Sequence, residues 1–126
     1  MGLIDSVLAA LFPSRRELQE KRRRIRAEVD SLLARGLVEK TLLLPAGFGG
    51  PPDDPRNITY LPPEAAAQKR EFDHRVREKI ECGEELDYRV TPEYDFESFV
   101  PTRLRLEATG GAEPMREVLD IGPPPR

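Results

Sequence analysis

The chain has 126 residues, which the usual size of domains limits to a single domain. Hydrophobic residues make up 38% of the sequence, enough for a small core, whereas 13 prolines and 34% charged residues imply a large share of surface and loop. The formal net charge of −3 argues against a general nucleic-acid binder, and the single cysteine excludes an intrachain disulfide.

The first predicted element is an amphipathic helix over residues 1–12. A helix this short is unstable alone, so it must dock on its own domain, on a partner or on a membrane surface. Asp5 on the polar face favours its own domain, because helices in a membrane interface usually carry Lys or Arg there. No apolar run approaches the roughly 20 residues that span a bilayer, and the segment lacks the basic start of an export signal, so we expect a soluble cytoplasmic protein. The apolar face of this helix consists of Leu3, Ile4, Val7, Leu8, Leu11 and Phe12.

A longer helix is predicted over residues 15–35. Ser14 and Glu17 have the spacing of a capping box, in which each side chain accepts a hydrogen bond from the other residue's amide. Gly36 provides the left-handed end that commonly terminates a helix. The apolar stripe is narrow, because Arg22 interrupts it, and narrow stripes suit a helix that lies on a sheet or pairs as a short coiled coil.

This second helix is also strongly basic. Five of the six residues from 21 to 26 are Lys or Arg, so Arg22, Arg23 and Arg24 are candidate contacts for an acidic protein, RNA or anionic lipid. The absence of interleaved aromatic residues argues against base stacking and therefore against RNA. A solvated helix face, offset by neighbouring acidic residues, explains the same pattern without any partner.

Two strands separated by a long loop are predicted next. Residues 37–44 contain three consecutive leucines bounded by Pro45, which is typical of a buried strand, and residues 57–61 form a second short strand. The loop over residues 45–57 is rich in proline and glycine, and loops of that length are uncommon unless they are functional or disordered. Its Phe48 either packs back onto the core or contacts a partner. The neighbouring glycines do not form a phosphate-binding loop, since no Gly-Lys-Ser/Thr follows them.

A third helix is predicted to open at Pro62 and Pro63 and to end at Gly83. His74 and Cys82 lie eight residues apart on it, about 12 Å along the axis, too far for a catalytic pair. We interpret the histidine as a solvated neighbour of an acidic residue and the cysteine as a small apolar residue. The sequence shows no catalytic, cofactor-binding or metal-binding pattern. The expected apolar face consists of Ala65, Phe72, Val76 and Ile80.

Beyond Gly83 the hydrophobic period changes to two, which is typical of half-buried strands. Three alternating segments follow around residues 86–90, 93–97 and 103–106, and a hairpin turn at residues 109–111 leads into a last strand near residues 115–121. Pro92 and Pro101 are expected at strand ends or on an edge strand, because a central strand needs their amides.

An acidic row is predicted on the second of these strands. Glu93, Asp95 and Glu97 face one side, opposite Tyr94 and Phe96. Like charges so arranged either protect a sheet edge against aggregation or contact a basic partner. We therefore treat the three acidic residues, together with Phe48, as candidate binding residues.

These elements predict an α+β fold with one antiparallel sheet of about four to five strands, helices packed on one face, and the short N-terminal amphipathic helix. The predicted organisation is a helix over residues 1–12, a single α+β domain over 13–121 and a loose proline-rich tail over 122–126. Residues 1–40 carry 9 basic and 6 acidic side chains, a net charge of +3, and residues 41–126 carry 11 and 17, a net charge of −6. The two regions either neutralise each other or form separate binding surfaces.

The leading hypothesis for function is a non-enzymatic interaction or regulatory module, by analogy an inhibitor, an adaptor or an antitoxin-like partner. It would bind a protein partner through the acidic strand and the glycine- and proline-rich loop. Where the acidic strand makes the contact, the partner would be basic. Self-association through residues 1–35 is a further expectation. One alternative is a small-molecule-binding or enzymatic domain with a pocket of Tyr60, Tyr88, Tyr94 and His74. A second alternative is a membrane-peripheral regulator that uses residues 1–26. No specific nucleic acid and no cofactor is expected.

Overall fold

The computed structural model describes residues 14–95 and 98–122. The helix predicted over residues 1–12, and all but the first residue of the tail predicted over 122–126, lie outside this part. The chain divides into two compact units, residues 1–31 and residues 32–126. Among the described residues, no helix is both long and apolar enough to cross a membrane.

Helix α1 runs from Arg15 to Ala34, in agreement with the predicted helix. The Ser14 amide donates to Glu17 Oε2 at 3.1 Å, and the Glu17 amide donates to Ser14 Oγ at 3.2 Å, which confirms the capping box. At the other end Gly36 has a φ of 70°, the left-handed conformation expected there.

Strands β1 (Glu39–Leu42) and β2 (Ile58–Leu61) pair antiparallel in a two-stranded sheet. Both lie within the predicted strand segments. The connection between them contains two short 3₁₀ turns, Ala46–Phe48 and Pro55–Asn57.

Asn57 holds this connection together from inside. Its buried side chain accepts a hydrogen bond from the Leu44 amide at 2.8 Å and donates to the carbonyls of Leu44 and Pro51 at 3.0 and 3.1 Å. Gly50 packs so closely that a Cβ atom there would stand 1.8 Å from the Leu44 carbonyl oxygen. The long loop is therefore a structured segment rather than a loose one.

Helix α2 runs from Pro63 to Glu81. Pro63 stands in its first turn, where a missing amide hydrogen costs nothing, and Gly83 follows its end with a φ of 96°. Three of the four residues predicted for the apolar face are buried, whereas Ile80 is 41% exposed.

Strands β3 (Asp87–Glu93), β4 (Arg103–Thr109) and β5 (Met115–Asp120) form an antiparallel sheet in that order. The inner face of this sheet packs against α2 in one core cluster, and the outer face carries charged side chains. Pro92 lies on β3, an edge strand, as its missing amide requires. The buried members of the cluster are Leu61, Ala65, Ala66, Phe72, Val76, Leu104, Leu106, Ala108 and Leu119.

The α+β class is confirmed, but the prediction of one sheet with four to five strands is wrong, because the described strands form two sheets of two and three strands. β2 passes through Pro62 directly into α2, and this helix contacts strands of both sheets, which do not pair with each other. The strand predicted over residues 93–97 is not formed at Tyr94 and Asp95, and residues 96 and 97 lie outside the described part. β3 ends at Glu93, whose carbonyl accepts hydrogen bonds from the amide and hydroxyl of Thr102 at 2.8 and 3.2 Å.

Candidate functional site

The basic run of α1 lies in solvent. Arg22, Arg23 and Arg24 are exposed, and within residues 14–95 and 98–122 their side chains form no ion pair or hydrogen bond. Leu18, on the apolar stripe of the same helix, is 41% exposed. From position 15 to position 28, Ile25 is the one side chain that is partly covered.

The predicted acidic residues are placed differently. Glu93 pairs with two arginines of β4, its Oε1 2.7 Å from Arg105 Nε and its Oε2 3.8 Å from Arg103 Nη1. Asp95 is exposed and lies beyond the end of β3, and Glu97 lies outside the described residues. The charge of Glu93 is thus largely offset within its own sheet.

Phe48 packs against the main core cluster and remains partly exposed. Its ring meets the Tyr88 ring edge-on, with centroids 6.0 Å apart, and the Arg77 guanidinium lies 5.5 Å from its centroid. Of the two alternatives for this residue, the structure shows packing back onto the core. Contact with a partner would be limited to the remaining exposed edge.

A buried polar cluster that the sequence analysis did not identify connects α2 with β3. Lys69 is 1% exposed, and its Nζ donates to Asp73 Oδ1 and Oδ2 at 3.1 and 2.9 Å. The Tyr88 hydroxyl donates to Asp73 Oδ1 at 2.5 Å. Asp73, four residues after Lys69 on α2, is therefore held by two donors from two elements.

The titration of the two donors reflects this environment. Burial lowers the pKa of Lys69, although the hydrogen bond and the charge of Asp73 act in the opposite direction. Burial raises the pKa of Tyr88 far above its ordinary value, and the hydrogen bond to Asp73 raises it further. At neutral pH the phenol stays protonated, and its hydroxyl donates a hydrogen bond to the Asp73 carboxylate.

A cleft of about 340 Å³ opens beside this cluster. Arg70, His74 and Arg77 follow one another on α2 at four- and three-residue steps, so they lie on the same face. Lys69 and Tyr88 donate to the oxygens of Asp73, so the free donors of the cleft come from two arginines and a histidine. Its lining consists of Pro45, Arg70, Asp73, His74 and Arg77.

Two of these side chains already have local partners. Arg70 Nη1 stands 3.3 Å from Glu39 Oε2, and His74 Nε2 stands 2.9 Å from Glu78 Oε1. The histidine pair is mostly exposed, which agrees with the prediction of a solvated helix histidine. An anion in the cleft would share these groups with carboxylates on the surface.

The alternative pocket of three tyrosines and a histidine is not gathered around this cleft. His74 lines it, but Tyr60, Tyr88 and Tyr94 do not. The Tyr94 hydroxyl lies 3.0 Å from Thr59 Oγ1. Tyr60 packs against a smaller core cluster of Leu32, Val38 and Val100. Among the described residues, no three His, Cys, Asp or Glu side chains are grouped as metal ligands would be.

The buried cluster has a signal in the sequence. The buried residues Ala65, Phe72 and Val76 follow helical steps, and Lys69 occupies the step between the first two. A lysine at a stripe position with an aspartate four residues later indicates a buried ion pair. The contribution of Tyr88 has no such local signal, because it depends on how β3 packs on α2.

No family model matches the chain, and no curated protein and no solved structure is significantly similar to it.

Proposed function

We propose that the chain is a non-enzymatic protein-binding module and that α1 is its binding element. The observation that carries the proposal is the exposure of nearly every side chain from Arg15 to Glu28 on a helix that also has an apolar stripe. Isolated helices of this length are marginal in water, so a stable partner surface would explain both the helix and its exposed Leu18.

Charge supports an acidic partner. Arg103, Arg105 and Arg116 on the sheet have carboxylates within 2.7–3.8 Å, whereas Arg22, Arg23 and Arg24 have none among the described residues. Exposed, uncompensated arginines increase the rate of association with an acidic surface and offer bidentate contacts to carboxylates. The acidic residues of the predicted strand are the weaker candidate, because Glu93 is already paired.

Affinity purification from the native cell with three forms of the full chain tests this proposal. The first form is wild type, the second carries Arg22→Glu, Arg23→Glu and Arg24→Glu, and the third carries Glu93→Lys, Asp95→Lys and Glu97→Lys. We expect an acidic partner that is recovered with the first and third forms and lost with the second. Equal recovery with all three forms would contradict the role of α1, and loss with the third alone would restore the acidic residues as the contact.

The cleft on α2 supports a second candidate, the binding of a small anion. Its favouring observation is the row of Arg70, His74 and Arg77 beside a carboxylate that is already neutralised by Lys69. Arginine is suited to phosphate and carboxylate ligands because its planar donors bind them in pairs.

Titration with inorganic phosphate and with pyrophosphate, followed by NMR shifts of the α2 amides, tests this candidate. We expect Arg77→Gln to weaken binding by about tenfold, since it removes one charge-assisted pair of hydrogen bonds. Arg56→Gln is the matched control, because Arg56 is an exposed arginine that pairs with Asp54 away from the lining residues. Shifts that are absent, or equal in both variants, would exclude the site.

A further inference from the structure

Strand β5 is an edge strand of the three-stranded sheet, paired with β4 on one side only. The alternate backbone groups on its other side can be identified from its hydrogen bonds. The Ile121 amide donates to the Thr102 carbonyl at 2.9 Å, so residue 121 turns its amide toward β4. Because backbone groups alternate sides along a strand, those of Arg116, Val118 and Asp120 point away from β4. Within residues 14–95 and 98–122, no backbone hydrogen bond reaches these three residues from the free side.

The opposite edge of the sheet is unsuited to further pairing. Pro92 pairs in register with Leu104, and the same alternation turns the backbone of Pro92 outward from β3. Proline has no amide hydrogen to donate, so a strand added there would lose a bond in the middle of its ladder. The sheet therefore has one edge that can accept a strand.

The side chains of β5 are complementary to themselves. In an antiparallel pair of two β5 strands centred on Val118, the residue opposite Arg116 is Asp120 of the second copy, and Val118 faces its own counterpart. Within one copy Arg116 already pairs with Glu107 and Asp120 with Arg103, so each row across the seam would alternate in charge from one strand to the next. The side chain of Val118 is 53% exposed, the largest exposure among the large hydrophobic residues of the described chain. Opposite charges and apolar residues that face each other across strands stabilise a pair of strands.

We propose that two copies of this chain associate through β5 and form a continuous six-stranded sheet. The register that aligns the charges also aligns the hydrogen bonds, because the outward-facing groups of residues 116, 118 and 120 meet those of residues 120, 118 and 116. On the inner face the same register places Met115 opposite Ile121, both partly buried in the monomer. Charge, apolar contact and backbone direction thus select one arrangement.

Helix α2 leaves room for this arrangement. α2 packs on the inner face over β4, and the two β4 strands would be three strand spacings apart, about 14 Å. Packed helices need about 8–10 Å between their axes. Since Pro92 hinders the other edge, the association closes as a two-fold dimer and does not continue into a fibre.

Sedimentation equilibrium over a range of concentrations up to about 1 mM, with the full chain, tests the dimer. We expect wild type to approach twice its mass of 14.3 kDa. Arg116→Glu and Asp120→Arg, each alone, place like charges opposite each other twice and should weaken association by about tenfold. The double variant with both changes restores opposite charges across the two β5 strands and should recover much of the dimer. Lys40→Glu, which reverses an exposed charge on β1, is the control and should change association little.

Val118→Pro provides an independent variant. The amide of residue 118 makes no bond to β4, so proline leaves the monomer's ladder intact and removes two hydrogen bonds at the centre of the dimer. We expect a monomer with unchanged circular dichroism, and faster hydrogen exchange of the amides of residues 116 and 120 than in wild type. A wild-type chain that stays monomeric throughout, or a dimer that persists in this variant and in both single charge variants, would overturn the proposal.

Discussion

Asp73 accepts hydrogen bonds from Lys69 and Tyr88, and its removal would leave a buried ammonium without its counter-charge. We expect Asp73→Ala to lower the free energy of unfolding by about 3 kcal/mol, because an uncompensated buried charge is costly. Lys69→Met should cost less than about 1 kcal/mol, since an apolar side chain of similar length suits the site and leaves Asp73 bonded to Tyr88. Urea denaturation at pH 7 measures both, and equal losses would contradict the asymmetry.

Tyr88 gives a dependence of stability on pH. Its pKa is raised in the folded chain, chiefly by burial, so the folded state keeps a proton above pH 10 that the unfolded chain releases. The contribution of Tyr88 to the free energy of unfolding is therefore complete below about pH 10. Above that pH it falls by up to about 1.4 kcal/mol per pH unit. Lys69 acts with the opposite sign, because its lowered pKa makes stability rise with pH until the unfolded value near 10.5 is passed.

The two effects are separated by measuring urea denaturation from pH 8 to pH 11 in a Lys69→Met background. In that background the free energy of unfolding should fall above pH 10, and adding Tyr88→Phe should remove most of the fall. Tyr60→Phe is the control, since Tyr60 packs with the smaller core cluster and is not part of the Asp73 contacts. A fall of the same size with and without Tyr88 would assign the alkaline loss to other groups.

At the scale of elements, the connection between β1 and β2 depends on one side chain. Asn57→Ala removes three hydrogen bonds to buried or partly buried backbone groups, and we expect a loss of about 2–3 kcal/mol in the free energy of unfolding. Gly50→Ala should be at least as harmful, because its Cβ would overlap the Leu44 carbonyl. The exposed Ala46→Ser serves as the control, and thermal denaturation of all three provides the comparison. Wild-type stability in Asn57→Ala would show that the turns hold without it.

Local signals predicted the elements well, and non-local contacts decided the rest. The capping box of Ser14 and Glu17 and the left-handed Gly36 involve neighbours within a few residues, so the sequence alone was sufficient. The alternation through Tyr94 suggested a continuing strand, but Thr102 binds the Glu93 carbonyl and Thr59 meets the Tyr94 hydroxyl. Neither partner could be identified from the period of the sequence.

The same limit applies to the candidate site. The arginine run of α1 is visible in the sequence as a run of like charge, and its side chains are exposed, whereas its role in binding stays a prediction. Glu93 had equal prominence, yet its charge is offset by arginines ten and twelve positions later, on the neighbouring strand. Charge runs on a helix can be interpreted locally, whereas charges on a sheet depend on the register between strands.

For the molecule as a whole, the small net charge of −3 conceals two different surfaces. The helix α1 carries exposed basic side chains, whereas the charged side chains on the outer face of the three-stranded sheet form ion pairs. Exposed ion pairs each contribute at most about 1 kcal/mol, so the outer face of the sheet adds solubility more than stability. Burial, by contrast, is concentrated in the unit of residues 32–126 and its main core cluster. Stability should therefore be unequal along the chain.

Native-state hydrogen exchange tests this inequality. The amides of Leu104, Leu106 and Ala108 on β4 belong to fully or almost fully buried residues, and we expect them to exchange only through global unfolding. Amides between residues 18 and 28 of α1 lack such cover, and we expect their opening free energy to be at least about 3 kcal/mol smaller. An acidic partner bound to α1 should slow the exchange of these amides and leave those of β4 unchanged. Equal protection of α1 and β4 in the free chain would mean that α1 is covered in solution and is not the available binding element.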